Sequence, residues 1–360
     1  MTDGATAADA AHAEGSPPAA PGRVPLAGPP TRIVPAPGLP EEILTNMRRR
    51  ARRFDWHSSF SRPAEPAVLE DVFCNSHGQV WTAAGTMLRG GAWPLPEESA
   101  RAMAYAPLVD DLAYARGGEA QRNFFHWMAE SLPSIARVLD PNAPPQMPIG
   151  IMPHPPRFVL ESLLLAAREG FSVVRLGDAL RVRRLHTVPI GVWSLLHREA
   201  HAAMFERMVD RAVAAVPDLP QGDRIFITRA DSARRPALNE KMLAAALTQR
   251  GYRAVALGAM SLVAQIATIR RARHIVALHG AGLTHLIFAQ PGCRVIEIFP
   301  ASIGMEASRM AMMRLSRVFG HRHITWLEPG PSEVGGRGLS PGDTWNISIQ
   351  PLLRRLVDAE

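Results

Sequence analysis

The sequence predicts an α/β protein made of two layers joined by a short linker. Three observations carry that reading. Strands and helices alternate from about residue 149 to residue 299, the order that builds parallel sheets covered by helices. One buried strand, Ile275 to Leu278, runs into the tight turn His279-Gly280-Ala281-Gly282, then the apolar segment Leu283 to Phe288 and a second buried strand, Arg294 to Phe299. The chain is 360 residues long and 47% hydrophobic, enough for two cores of ordinary size.

Residues 1 to 40 are rich in Ala, Pro and Gly with little periodicity, which reads as a disordered tail. Residues 41 to 216 are expected to form the first domain. Val68 to Phe73 and Gln79 to Thr82 look like strands, and the Gly90-Gly91 pair with Pro94 and Pro96 interrupts regular structure after them. From Asn123 the spacing of Phe124, Trp127, Met128, Ser131, Leu132 and Ile135 is helical, with a kink expected at Pro133. Then come a strand at Ile149 to Met152, a helix at Arg157 to Arg168, strands at Ser172 to Leu176 and Leu185 to Ile190, and a helix at His197 to Val216. Pro217 to Asp223 reads as the linker. The second domain, 217 to 330, repeats the alternation: strand Arg224 to Thr228, helix Asn239 to Arg250, strand Tyr252 to Ala256, helix Leu262 to Arg271, strand His274 to Leu278, helix Leu283 to Phe288 and strand Arg294 to Phe299. Asn239 and Ser261 stand where caps belong. His323 to Leu327 reads as a further strand, and residues 331 to 360 as a loop and a terminal helix at Ile347 to Val357.

The net charge is +7, but of 40 basic residues only Lys241 is a lysine, and arginine is spread throughout. The densest cluster, Arg48 to Arg50 with Arg52 and Arg53, lacks interleaved aromatics before Phe54, so no nucleic-acid partner is expected. Two distant cysteines, Cys74 and Cys293, make neither a thiolate metal site nor a disulfide framework. The amino terminus lacks the basic and apolar regions of a secretory signal, and no run of about 18 apolar residues spans a membrane. A cytoplasmic protein is expected, with room for peripheral contact at the inner membrane face.

Three constellations carry chemistry. In Phe226 to Glu240 a strand ends before Arg229, Arg234 and Arg235, and Asn239-Glu240 opens the next helix. Arginines at a strand's carboxyl end can fork onto a diphosphate and stabilise the charge that grows as it leaves; the bland alternative is a solvated arginine loop. The turn of His279, Gly280, Ala281 and Gly282, with Leu283 and Thr284 in the first helical turn and Glu297 on the next strand, presents backbone N–H groups to a phosphate. His285 stands where a third glycine would complete a dinucleotide fingerprint, which argues against a standard dinucleotide site. The same turn resembles the oxyanion turn of lipases, but that fold also needs a Gly-x-Ser-x-Gly nucleophile elbow, and none is expected in this chain. In Asn123 to Glu130, His126 and Glu130 lie four apart on one helical face, a spacing that suits a general base and the group that orients it. A purely structural pair is the plain alternative, and no third ligand supports a metal.

Quoted as they stand, NFFHWMAESLP, ITRADSARRPALNE and MSLVAQIATIRRARHIVALHGAGLTHLIFAQPGCRVIEIF resemble, in that order, glycosyltransferase family 61, over about Arg122 to Phe299; the bacterial capsular and exopolysaccharide enzymes are the expected subtype. The resemblance implies a GT-B fold, two Rossmann-like domains facing across a cleft, and an inverting, metal-independent transfer with no cofactor. It implies Glu130 as the catalytic base with His126 beside it. It further implies Arg229, Arg235, Asn239, Glu240, His279, Gly280, Ala281, Gly282, Leu283, Thr284 and Glu297 as donor-binding residues, Glu297 being the ribose partner. The role of His285 stays open. The expected donor is a nucleotide sugar, uridine-diphosphate-linked, and the acceptor a glycan hydroxyl in surface polysaccharide synthesis; the alternative is a non-catalytic nucleotide-binding scaffold of polysaccharide assembly.

Overall fold

The computed structural model describes residues 28–58, 66–90, 94–115, 121–140, 147–167, 170–188, 201–219, 222–231, 237–301, 310–330 and 344–357. Two sheets form an α/β architecture consistent with a GT-B-like arrangement. The chain opens with strand β1 (Arg32–Pro35) and helix α1 (Glu41–Ser58). It then enters the first, seven-stranded sheet through β2 (Ala67–Cys74), β3 (Val80–Thr82) and β4 (Met87–Arg89). The short helix α2 (Glu97–Ala102) leads to β5 (Leu108–Tyr114). A broken helix comes next: α3 (Phe124–His126), a π turn over Trp127–Ser131, and α4 (Leu132–Ser134). Strand β6 (Ile149–Ile151), helix α5 (Arg157–Ala166), β7 (Val173–Arg175) and β8 (Leu180–Thr187) complete the sheet, in the order β4-β3-β2-β8-β5-β6-β7. Its β5, β6, β7 and β8 pair in parallel, whereas β2, β3 and β4 are antiparallel.

Helix α6 (Ala202–Ala215) crosses to the second sheet. There β9 (Arg224–Ile227), α7 (Glu240–Thr248), β10 (Arg253–Val255), α8 (Leu262–Arg271), β11 (His274–Leu278), a 3₁₀ helix over Ala281–Phe288, β12 (Arg294–Ala301), α9 (Ala311–Val318) and β13 (Arg322–Pro329) succeed one another. Helix α10 (Ile349–Val357) closes the described chain. This sheet is wholly parallel, in the order β1-β13-β12-β11-β9-β10. After β9 the chain steps outward to β10, then returns to the other side of β9 as β11. That reversal is a topological switch point, and in open α/β sheets the crevice beyond the carboxyl ends of the strands at such a point is where ligands bind.

Residues expected in the tail and the first domain cover the second sheet instead. β1 pairs with β13, Arg32 opposite Ile324 and Pro35 opposite Leu327, and Pro35 is tolerated because β1 is an edge strand. Helix α1 lays Ile43, Leu44 and Met47 against Phe299, Met313 and Leu327. Nothing local announces this: a four-residue strand has no partner within reach of its own sequence. Residues 1–27 lie outside the described residues, as do Ile190, the start of the expected helix at His197, and most of 331–360.

The two sheets share a core. Trp127, Leu132, Val159 and Leu163 from the first, Met208 and Ala212 of α6, and Ile225, Ile266, Leu286 and Leu315 from the second belong to one continuous buried cluster. The expected linker therefore comes after a helix that joins the lobes by burying its apolar face on both sides. Among the described residues, no helix is long and apolar enough to cross a membrane.

Candidate active site

The site is assembled from the carboxyl ends of β9 and β11. The Arg229 guanidinium donates from Nη1 to the His279 carbonyl at 2.8 Å, bridging the two strand ends. Its backbone N–H and the Thr228 hydroxyl both donate to Glu240 Oε1, at 2.6 and 2.5 Å. Glu240 thus holds the strand end in place from the first turn of α7 and does not line the cavity. Burial lowers the pKa of Arg229, and the charges of Glu240 and Asp231 offset this in part. Both glycines of the turn have a packing reason. A Cβ on Gly280 would overlap Nη1 of Arg229, and one on Gly282 would press on Ile227 Cγ2 at 3.2 Å.

Beyond the turn, the structure departs from the expected helix N-terminus. Residues Ala281–Phe288 form a 3₁₀ helix, Leu283 and Thr284 are buried, and the Leu283 N–H donates to Gly280 O at 3.1 Å. Ala281 and Gly282 line the cavity; Leu283 and Thr284 do not. Asn239 holds the cap position of α7, but its side chain bonds the backbone of Ile347 in both directions, at 2.8 and 2.9 Å, instead of capping. It ties the segment before α10 to the sheet and stands off the cavity. Ser261 does cap α8, accepting from the Ala264 N–H at 3.3 Å. Arg234 and Arg235 lie outside the described residues.

Glu297, expected beside a ribose, is fully buried on β12. His279 Nδ1 donates to its Oε1 at 2.6 Å and His323 Nε2 to its Oε2 at 3.1 Å. Burial opposes its ionisation, but the two hydrogen bonds and the histidine charges outweigh it and bring the pKa down to about 2. Glu297 meets the cavity only through His279, which lines it. His323 was absent from the sequence-based candidates, because its partnership needs β12 and β13 side by side.

The opposite wall comes from the first lobe. Asn123 caps α3 by accepting from the Phe125 N–H at 2.9 Å. Phe124 stacks on His285 of the second lobe, ring centroids 4.4 Å apart and planes at 18°, and meets Phe158 edge-on at 5.3 Å. The His285 ring lies between Gly282 O at 2.9 Å and Gln265 Oε1 at 2.7 Å. Burial pulls its pKa down to about 4, only partly offset by the bond to Gly282, and the ring serves as an aromatic joint between the lobes.

His126 comes next on the same wall, its side chain 42% exposed and its Nδ1 donating to Glu130 Oε2 at 3.1 Å. His126 immediately precedes the π turn and Glu130 lies within it; the turn widens the backbone ahead of Pro133, a residue with no N–H to give. Glu130, expected as the base that meets the acceptor, has a side chain only 8% exposed and does not line the cavity, whereas His126 does. Behind Glu130 lies Arg314 of α9. Burial lowers the Arg314 pKa to about 9, and the Glu130 charge acts the other way.

His126, Arg157 and Phe124 from one lobe and Arg229, His279 and Asp231 from the other line a single cavity of about 690 Å³. Its volume suits a small-molecule ligand. Asp231 is fixed at the rim by accepting the Gly258 N–H at 2.7 Å. Against expectation, one string, Gly338 to Gly342, does match a serine elbow by letters; it lies outside the described residues.

A parallel sheet with a glycine turn at its switch point, facing a second α/β lobe across a shared cavity, defines a two-lobed α/β enzyme of the GT-B-like class. Residues 124–296 match the family model described as Glycosyltransferase 61. Residues 124–296 thus form a glycosyltransferase family 61 domain, which indicates a transferase with a sugar donor and an acceptor as substrates. The match begins at Phe124, the lobe-joining aromatic, and includes the ends of β9 and β11. No curated protein matches the chain.

Proposed function

We propose that the protein is an inverting glycosyltransferase of the bacterial surface-polysaccharide type, moving a sugar from a uridine-diphosphate donor to a glycan hydroxyl. The observation that supports this best is the meeting, in one cavity, of a cationic strand-end turn and a histidine–carboxylate pair from opposite lobes. The donor diphosphate lies against Arg229, His279 and the Gly280–Gly282 turn. With Glu130 holding Nδ1–H, His126 has Nε2 as its basic nitrogen; it takes the acceptor proton, and Glu130 stabilises the imidazolium that forms. The acceptor oxygen bonds to the anomeric carbon as the bond from that carbon to the diphosphate oxygen breaks. The electron pair leaves with uridine diphosphate, whose charge Arg229 stabilises. A transferred proton and a departing anion account for the whole step without a metal or cofactor. Glu240, Asn239 and Glu297 support the donor wall from behind.

The test is a thermal-shift panel of sugar nucleotides, then a uridine diphosphate release assay with glycan acceptors. A true donor at a hundred times its Kd should stabilise the fold by about 2.7 kcal/mol. Stabilisation by one donor without release in the presence of any acceptor would favour the scaffold alternative, and no stabilisation by any uridine nucleotide would remove the donor assignment.

A further inference from the structure

The amino edge of the second sheet carries a feature that sugar transfer does not use. Each of its six strands begins with arginine or histidine: Arg32, Arg224, Arg253, His274, Arg294 and Arg322. The register places Arg322 opposite Arg294, Arg294 opposite His274, and His274 opposite Arg224. Neighbouring strands lie about 4.8 Å apart, and like charges directly opposite one another in a sheet are destabilising. The helices that return between parallel strands point their carboxyl ends at this edge, and the negative end of a helix dipole accommodates a cation. Those same last turns, however, add Arg270 and Arg271 of α8, Arg317 of α9, and Arg354 and Arg355 of α10. Of these, Arg270 is paired with Glu206 at 2.9 Å, and Arg271 donates to the carbonyls of Val216, Pro217 and Leu219. Among the described residues, no ion pair engages Arg32, Arg253 or Arg322, and Arg32 and Arg322 are exposed.

Between the heads of this row lies a second cavity, of about 280 Å³. Arg32, Arg294 and Arg322 supply its charge and His274 a further polar group, while Val276, Ile296, Ile324 and Leu356 make the apolar part of its wall. A cationic rim over an apolar floor matches an amphipathic anion: a phosphate on the arginines and a glycerol or acyl root beneath them. The row spans about 24 Å, five strand spacings, with Arg32 level with Ile324 and Arg253 level with Ile225 rather than with the neighbouring arginines. It presents neither a helix nor a ribbon that could enter a nucleic-acid groove. We propose that this edge docks the protein on an anionic phospholipid surface. The candidate active site opens at the other end of the same strands, so docking leaves it facing solution. This inference does not depend on the identity of the sugar donor or on the proton path.

Co-sedimentation of the full chain with vesicles tests it, using phosphatidylcholine alone and phosphatidylcholine with phosphatidylglycerol two to one. The protein should pellet with the anionic vesicles only and be released as salt shortens the screening length. Each cation near an anionic surface contributes about 1 kcal/mol, so replacing Arg32, Arg294 and Arg322 together with Ala should weaken binding on the order of a hundredfold. The exposed pair alone, Arg32→Gln with Arg322→Gln, should weaken it by about thirtyfold on the same scale and spares the interior. The stabilisation by uridine diphosphate should be unchanged in both variants. Equal binding to neutral vesicles, or binding that survives in both variants, would overturn the proposal. So would loss on changing Arg48 and Arg49 of α1 instead, displacement by inorganic phosphate beyond that of sulfate at equal ionic strength, or retention on duplex DNA with no vesicle binding.

Discussion

Two histidine–carboxylate pairs face the same cavity and are built for opposite ends. His126–Glu130 sits on a π turn, with the ring 42% exposed and a 3.1 Å contact. His279–Glu297 sits on adjacent strands, with a ring only 9% exposed, a 2.6 Å contact and a second histidine, His323, on the far oxygen. A group that must accept and release a proton during turnover needs access and freedom to change charge. A group that must hold a wall needs neither. Burial and partner count, more than residue type, separate the two assignments: the pair with the exposed histidine is the candidate proton acceptor, and the buried triplet is a fixed part of the proposed donor wall.

The largest expected effect breaks the first pair. His126→Ala should lower transfer by about 10²–10⁴-fold, the usual contribution of a general base, while uridine diphosphate binding by calorimetry stays near its starting value. Glu130→Gln keeps a hydrogen-bond acceptor but removes the charge, and should cost about ten- to hundredfold in rate, the worth of one charged hydrogen bond. If Glu130→Gln were inactive while His126→Ala remained active, Glu130 itself would reach the acceptor and the comparison would invert.

Breaking the second pair should act on stability. Glu297→Ala leaves two histidines facing an apolar gap and should cost about 3–5 kcal/mol in urea unfolding. The pH dependence carries the same signature. The folded pKa of Glu297 lies at about 2, below its ordinary value of 4.5; a depressed carboxylate stabilises the fold above its unfolded pKa, and that contribution is lost as pH falls toward the folded one. Stability should therefore decline between about pH 4.5 and 2, and Glu297→Gln should flatten that decline. Asp111, held down to about 2 by its bonds from Arg184 and His186, titrates over the same interval but in the other sheet, so the difference between parent and variant isolates Glu297.

Further substitutions sharpen the division of labour on the proposed donor wall. Arg229→Ala should reduce transfer by about 10²–10³-fold through the lost charge on the departing diphosphate. Gly280→Ala introduces a methyl where Nη1 of Arg229 lies. It should weaken uridine diphosphate binding by about tenfold or more as the Arg229 bond to His279 is lost. Phe124→Leu loosens the stack on His285 and should cost only about 0.5–1.5 kcal/mol of stability; a loss of transfer larger than that would show that the lobe joint also sets cavity geometry.

Much of this was legible from local pattern. Helix α8 and strand β11 stand at their predicted bounds, because a capping serine, a helical apolar stripe and a β-branched run are read within a few residues. The turn of His279 to Gly282, Arg229 and the pairing of His126 with Glu130 were legible for the same reason. What pattern could not supply was partnership across the chain. β5 was missed because its two aspartates, Asp110 and Asp111, break the apolar run; its place beside β8 supplies basic partners for them. β1 needed β13, and His323 needed Glu297. Asn239 looked like a cap until Ile347 drew its side chain away.

Local chemistry in the sequence determined the two-layered α/β class, the switch-point turn and the residue types proposed to meet a diphosphate, since propensity, capping and glycine placement act over a few neighbours. Tertiary structure alone decided which of those residues face the cavity and which stand behind it. It turned Glu130, Glu240 and Glu297 inward and left His126, Arg229 and His279 on the cavity wall, because burial depends on what packs against a side chain and not on the letters beside it.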